Sequence, residues 1–374
     1  MLGWLLSVAS IAAAQVNADV DCGSGNTLAR ALLEAQPGDT LRIAGTCGEF
    51  VTITTDRLTL DGLGSAIIDA GGEGAAAINI EGAQGVVIRG LTVRNSADGI
   101  IIQRAAAVTL DNVTSEDNGG DGFQIDENAT VRMSNSAAQR NGDNGMEVRR
   151  SANVTMQASI MSNNNRFHGI SVFDAASVVL SGANASITGS AINGIRAGDV
   201  SGFAIRDGSE ANVNSNGNDG IAISSSSTLT IDSTSSIMAS QNGRHGVFIS
   251  DASSMISFGT INTTGNNDFG IYTLRTSTMT ISGGEDGRSL MSTDNDMGLV
   301  INSLSVGATF GNVSITLRNN ATQDCFVSEN SDWDANATGP VDIGTQTGCL
   351  PSQSNSLLSI LGHTGASLGI PETR

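Results

Sequence analysis

A chain of 374 residues, 39% of them hydrophobic and only 3% aromatic, has ample material for one large core built from aliphatic side chains. It has no lysine: all 18 basic residues are arginine, and the formal net charge is −19, which argues against nucleic acid and anionic membrane surfaces as partners. Glycine, at 46 residues, stands well above its usual share of about 7%, as a fold with many tight turns requires.

Residues 1–18 carry the apolar run Leu2-Gly-Trp-Leu-Leu-Ser-Val-Ala and end in small residues, the pattern of a secretory signal cleaved after Ala14 or Ala18. No other stretch is long enough to span a bilayer. An irregular unit follows at Val51/Ile53 and Leu58/Leu60, then one with Ala77, Ile78/Ile80 and Val86/Ile88. From there a glycine recurs at 99, 122, 145, 169, 194, 220, 246, 270 and 298, at intervals of 23 to 28 residues, the spacing of a repeat architecture.

The flanks keep phase with each glycine. Ile100/Ile102, Phe123/Ile125, Met146/Val148, Ile170/Val172 and Ile221/Ile223 stand one and three places after it. Val108/Leu110, Val131/Met133, Val154/Met156 and Leu229/Ile231 stand nine and eleven places after it. Apolar residues two apart mean strands with one buried face. A weaker third position holds Val113, Ile160, Ile187, Val213, Ile237, Ile261 and Leu290. Each unit therefore predicts up to three short strands that are unstable alone and must stack on their neighbours. Four places before the glycines stand Asn95, Asn118, Asn141, Asn165, Ser190, Asn216, Asn242, Asn266 and Asp294. Asparagine tolerates left-handed turns, and stacked amides can bond along a solenoid axis, so this column predicts a ladder.

These features resemble the right-handed parallel β-helix superfamily of pectate lyases and polygalacturonases, over roughly residues 25 to 315. Thr27 to Thr40, ending Pro37-Gly38-Asp39-Thr40, is similar to that superfamily's opening, a short capping helix leading into the first strand. The expected fold is thus all-β, a right-handed parallel β-helix of about eleven coils. The division follows: signal 1–18, capped helix 19–315, C-terminal cap 316–349 and a tail, 350–374. Solenoid ends expose strand edges, and the four cysteines sit at the two ends. Cys22 with Cys47 and Cys325 with Cys349 would each close a loop of about 25 residues and contribute ~3 kcal/mol, in an oxidising compartment.

With the interior filled by side chains, a site must lie on the outer face, where equal phases in neighbouring units stand about 5 Å apart. Two clusters stand out. The first joins Asp121, Asp126, Glu147, Arg149, Arg166, His168 and Phe173; its carboxylates, with Asp98 beside Asp121, have the chemistry of glycoside hydrolysis. The second joins Asp219, Arg244, His245, Phe248, Asp268, Tyr272 and Arg275, with two outward rings suited to a sugar face. Asp121, Glu147, His168, Asp219 and His245 are the candidate catalytic residues, and Arg149, Arg166, Phe173, Arg244, Phe248, Tyr272 and Arg275 the candidate glycan contacts.

Asp121-Gly122 and His168-Gly169 resemble two of the three catalytic units of polygalacturonase-type hydrolases. The middle unit offers Asn144 where that family has a carboxylate, and a lysine-free chain cannot carry its Arg-Ile-Lys. A lyase base would have to be arginine, Tyr272 or histidine. Acidic turns at Glu116-Asp117 and Asp294-Asn-Asp296 have the oxygens to hold Ca²⁺, though no cofactor is required. The expectation is a secreted monomer whose outer face binds extracellular polysaccharide without cleaving it, with a polysaccharide-degrading hydrolase or lyase as the alternative.

Overall fold

In the computed structural model, which describes residues 16–344 apart from 329, 338 and 339, the chain is a parallel β-solenoid. One side is a twelve-stranded sheet, from Val51–Ile53 through Ala76–Glu81 and Asp98–Gln103 to Gln323–Val327. The other two strand positions of each coil merge into a nineteen-stranded sheet. They merge because strands such as Ala107–Glu116 and Thr130–Gln139 bend without breaking, at Asn112 (φ 54°) and Asn135 (φ 49°).

Register follows the glycine phase: Ile100 pairs with Phe123, Phe123 with Met146, and Met146 with Ile170, all parallel. These residues, with Val108, Leu110, Val131 and Met156, form one continuous buried core. The coil count is slightly higher than the eleven expected, because a twelfth rung, Gln323–Val327, pairs Cys325 with Leu299. That rung carries Asp324 in the glycine slot, so the repeat signal misses it.

The glycine slot has a steric cause. A Cβ on Gly220 would lie 2.7 Å from both the Gly246 carbonyl oxygen and the Asn242 amide nitrogen. The space is taken by the asparagine ladder, which is present and buried. Asn216 Nδ2 donates to Asn242 Oδ1 (3.1 Å), Asn242 to Asn266 (3.0 Å), Asn266 to Asn295 (2.9 Å) and Asn295 to Asn320 (3.1 Å). Asn320 then donates to Asp324 Oδ1 (2.9 Å), which ends the series. Two members differ from expectation. The ladder uses Ser96 and Asn295, not Asn95 and Asp294, because those turns are one residue tighter; Asn95 (φ 56°) and Asp294 (φ 59°) take the left-handed corner instead.

A second buried column, seven places after the phased glycines, mixes alanine with serine and so carries no apolar signal. Ser201, Ser227, Ser253, Ser277 and Ser305 each accept, through the hydroxyl, the N–H of the equivalent residue one rung earlier. Alanines at 106, 129, 152 and 176 occupy the same column in the earlier coils.

The first coil is capped as expected. A helix spans Leu28–Glu34, with Thr27 as N-cap, and the Glu49 carboxylate accepts from the N–H groups of Leu28 (2.6 Å) and Ala29 (2.9 Å). The Cys22–Cys47 disulfide fastens this cap to the sheet. Cys325 is buried in the twelfth rung; Cys349 and the tail lie outside the described residues.

Candidate functional site

The residue before each glycine sits where the chain enters the twelve-stranded sheet, and this column forms a further ladder. Asp98 Oδ1 accepts from Asp121 N (2.7 Å), Asp121 from Asn144 (2.9 Å) and Asn144 from His168 (3.1 Å). His168 Nδ1 accepts from Asn193 N (3.3 Å), Asn193 from Asp219 (3.1 Å), Asp219 from His245 (3.3 Å), and His245 Nδ1 from Phe269 (3.3 Å). Every side chain here must be an acceptor. The histidines consequently keep their proton on Nε2, as neutral donors. Burial, reinforced by Arg196, lowers His168 to about 4; burial with Arg244 lowers His245 to about 3.

The first cluster assembles in part. Arg149 bridges Glu147 (2.6 Å) and Asp126 (2.9 Å), and Arg150 also reaches Asp126 (2.9 Å). Asn144 Nδ2 links Asp121 (2.9 Å) and Glu147 (3.4 Å). Gln124, its amide turned to suit both neighbours, donates to Asp98 (3.1 Å) and accepts from Arg149 (2.9 Å). Asp121 is only 6% exposed, and burial followed by the Glu147 charge pushes it up to about 8. Burial also raises Glu147, Asp98 and Asp143. Asp143 was not legible as a member, since its turn position alone carries no signal. His168 and Phe173 lie on the next rung, where Arg196 sits over the Phe173 ring (5.9 Å). Arg166 is exposed on the turn and forms no ion pair among the described residues.

In the second cluster Phe248 and Tyr272 are half-buried on adjacent rungs, ring centroids 5.6 Å apart. His245 stacks on Phe269 (4.8 Å), which the sequence reading overlooked, and Tyr272 meets both edge-on (5.2 and 4.8 Å). Arg244 covers one side of Phe248 (5.4 Å) and pairs with Asp219 (3.3 Å), whose acid is raised by burial to about 6. Asp268 belongs through its charge on Asp219. Arg275 does not join: it pairs with Asp251 (3.2 Å) on an exposed turn. The long units do not wall this face, because their extra residues lie at the corner inside the nineteen-stranded sheet, around 206–210 and 231–236.

Of the turns named for calcium, the first has its carboxylates in ion pairs and the second has its central residue turned inward. Glu116 and Asp117 both pair with Arg140 (2.7 and 2.9 Å), and Asn295 belongs to the buried ladder. Cys22, Cys47 and Glu49 lie close enough together for a metal, but the sulfurs are bonded to each other and Glu49 caps the helix. No helix among the described residues is long and apolar enough to cross a membrane.

Residues 76–231 match the family model described as a right handed beta helix region. Within the parallel solenoid, those coils are a right-handed β-helix region. Several solved structures are similar to the chain at low identity. Pectate lyase Pel9A is 14% identical, with 75% of this chain and 80% of that one covered at a TM-score of 0.43. The mannuronan C-5 epimerase AlgE6 A-module of Azotobacter vinelandii is 15% identical, over 84% and 92%, at 0.42. PfbA, a surface adhesin of Streptococcus pneumoniae, is 10% identical, over 84% and 87%, at 0.30. No curated protein matches the sequence.

Proposed function

We propose that this β-helix is an extracellular carbohydrate-binding protein that holds a polysaccharide along the outer face of its twelve-stranded sheet without cleaving it. The observation that carries this reading is the aromatic platform. In a chain with 3% aromatics, Phe248, Tyr272 and Phe269 converge with His245 on adjacent rungs, beside the Arg244–Asp219 pair. Flat apolar rings edged by hydrogen-bonding groups suit the face of a pyranose. Both histidines support binding over catalysis: with Nδ1 bonded to backbone and Nε2 protonated, neither offers a free lone pair as base, and neither carries an acidic proton near neutrality. Binding of purified protein to a panel of plant, algal and bacterial polysaccharides tests the reading. It expects a saturable interaction that Phe248→Ala with Tyr272→Ala abolishes; unchanged binding by that double variant refutes it.

One observation favours a second reading. Asn144 Nδ2 links the Asp121 and Glu147 carboxyls (2.9 and 3.4 Å), and burial with the Glu147 charge pushes the Asp121 acid up to about 8, which suits a proton donor beside a second carboxyl in glycoside hydrolysis. Release of reducing ends from the same panel, lost in Glu147→Gln, would establish it.

Export completes the proposal. Cleavage after Ala14 leaves the first strand, Asn17–Asp21, whole, whereas cleavage after Ala18 removes two residues that pair with Thr40 and Leu41. Mass spectrometry of the secreted N-terminus decides between them. Light scattering on the eluted protein tests the proposed monomer.

A further inference from the structure

Four described arginines are half-buried: Arg94, Arg149, Arg196 and Arg244. Three of them are ion-paired, Arg94 with Asp69 (2.9 Å), Arg149 with Asp126 and Glu147 (2.9 and 2.6 Å), and Arg244 with Asp219 (3.3 Å). Arg196 has neither an ion pair nor a hydrogen bond among the described residues. A guanidinium taken partly out of water with its five donors unmet is unfavourable, and the groups that satisfy it are oxyanions.

The surroundings hold this side chain in one place. Its guanidinium lies over the Phe173 ring at 5.9 Å, and Nη2 would stand 3.1 Å from a Cβ on Gly198, so the residue rests across a position with no side chain. Its register neighbours, Ser171 and Ala222, are small, 2% and 6% exposed, and neither is a charged partner for it. His168, on the preceding rung and close enough to feel the Arg196 charge, has its Nδ1 bonded to Asn193 N and so keeps its Nε2–H as a donor. The nearest carboxylates of this face are engaged elsewhere, Glu147 by Arg149 and Asp219 by Arg244; Asp174 and Asp199 occupy exposed turns and form no ion pair with Arg196. Phe248 stands two rungs away in the same column, roughly 10 Å.

We propose that Arg196, laid over Phe173 and Gly198 beside the His168 donor, is an oxyanion subsite that reads a carboxylate or sulfate ester on the bound glycan, two rungs from the aromatic platform. This rests on the carbohydrate-binding reading and narrows it: a chain of net charge −19 with one unpaired guanidinium among its four described half-buried arginines selects a sparsely charged polymer over a dense polyanion.

The subsite is tested without any glycan. Protein labelled with ¹⁵N-arginine is titrated with sodium sulfate, sodium acetate and sodium chloride at matched ionic strength. One Nε–H resonance, absent from Arg196→Lys, should shift and saturate with sulfate or acetate but not with chloride. No shift, or an equal shift with chloride, overturns the subsite whatever glycan binds. A calorimetric arm compares one oligosaccharide backbone in neutral, carboxylated and sulfated forms, which separates the two anions. Arg196→Gln should weaken the preferred anionic form about tenfold and leave the neutral form unchanged, while Arg132→Gln, exposed on the other sheet, changes neither. Equal losses for neutral and anionic forms overturn the subsite. Failure of Phe248→Ala with Tyr272→Ala to reduce binding sinks the carbohydrate face, while the ion titration still judges Arg196.

Discussion

Asp121→Asn should stabilise the protein by an amount that grows with pH. In the native state burial and the neighbouring Glu147 raise the Asp121 acid to about 8, whereas the unfolded chain titrates near 3.9. Between those values the folded protein holds a proton that the unfolded chain has released. Stability from this group is therefore complete below about pH 4, falls as pH rises, and levels off above about pH 8. The slope is about 1.4 kcal/mol per pH unit, or about 4 kcal/mol between pH 5 and pH 8. Asparagine keeps the Oδ1 acceptor for the Asn144 N–H and Nδ2, both at 2.9 Å, and has no proton to release. Urea unfolding followed by circular dichroism at pH 5, 6, 7 and 8 should show the variant pulling away from the parent by roughly that increment at each step, with equal m-values. Two parallel pH profiles would refute the reasoning, because they would mean that Asp121 is already ionised when folded.

Other outcomes follow from the same structure. Asn216→Ala removes an acceptor from Ser190 N (3.0 Å) and donors to Asn242 (3.1 Å) and the Ile187 carbonyl (3.3 Å); it should cost about 2–4 kcal/mol and speed exchange of the Ser190 amide, while Asn95→Ala costs under about 1. Cys22→Ser with Cys47→Ser opens a 25-residue separation and should cost about 3 kcal/mol, read as earlier unfolding and faster proteolysis of the first coil. Gly220→Ala places a methyl 2.7 Å from a carbonyl oxygen and a ladder amide, and should lower the melting temperature by several degrees or prevent secretion. Phe248→Ala alone should weaken glycan binding roughly tenfold, about 1.4 kcal/mol, in a calorimetric titration.

The architecture was legible because its cause is periodic. Alternating apolar residues in phase with a glycine can only bury one face by stacking, and Ile100, Phe123, Met146 and Ile170 are buried in register as expected. What escaped either breaks that phase or keeps it without an apolar signal. Asp324 sits in a glycine slot at the last rung, and Ser96 and Asn295 join the ladder one place out of phase. The serine column was invisible because alanine and serine in one slot look like ordinary small turn residues until their backbone partners are known. At the site, the outward pairing of Phe248 with Tyr272 could be read from phase alone. The protonation of Asp121 and the solitude of Arg196 could not, since both depend on how deeply neighbours enclose a group and not on its position in the unit.

The column that enters the twelve-stranded sheet restricts what evolution or a designer can write there. Because each side chain from Asp98 to His245 receives the amide of the rung above, the column is written in aspartate, asparagine and histidine, all of them also the vocabulary of catalysis and recognition. Scaffold maintenance and chemical potential are thus drawn from the same three letters. A saturation library over residues 121, 144, 168, 193, 219 and 245, limited to that alphabet, would sample new surface chemistries while leaving the coil intact.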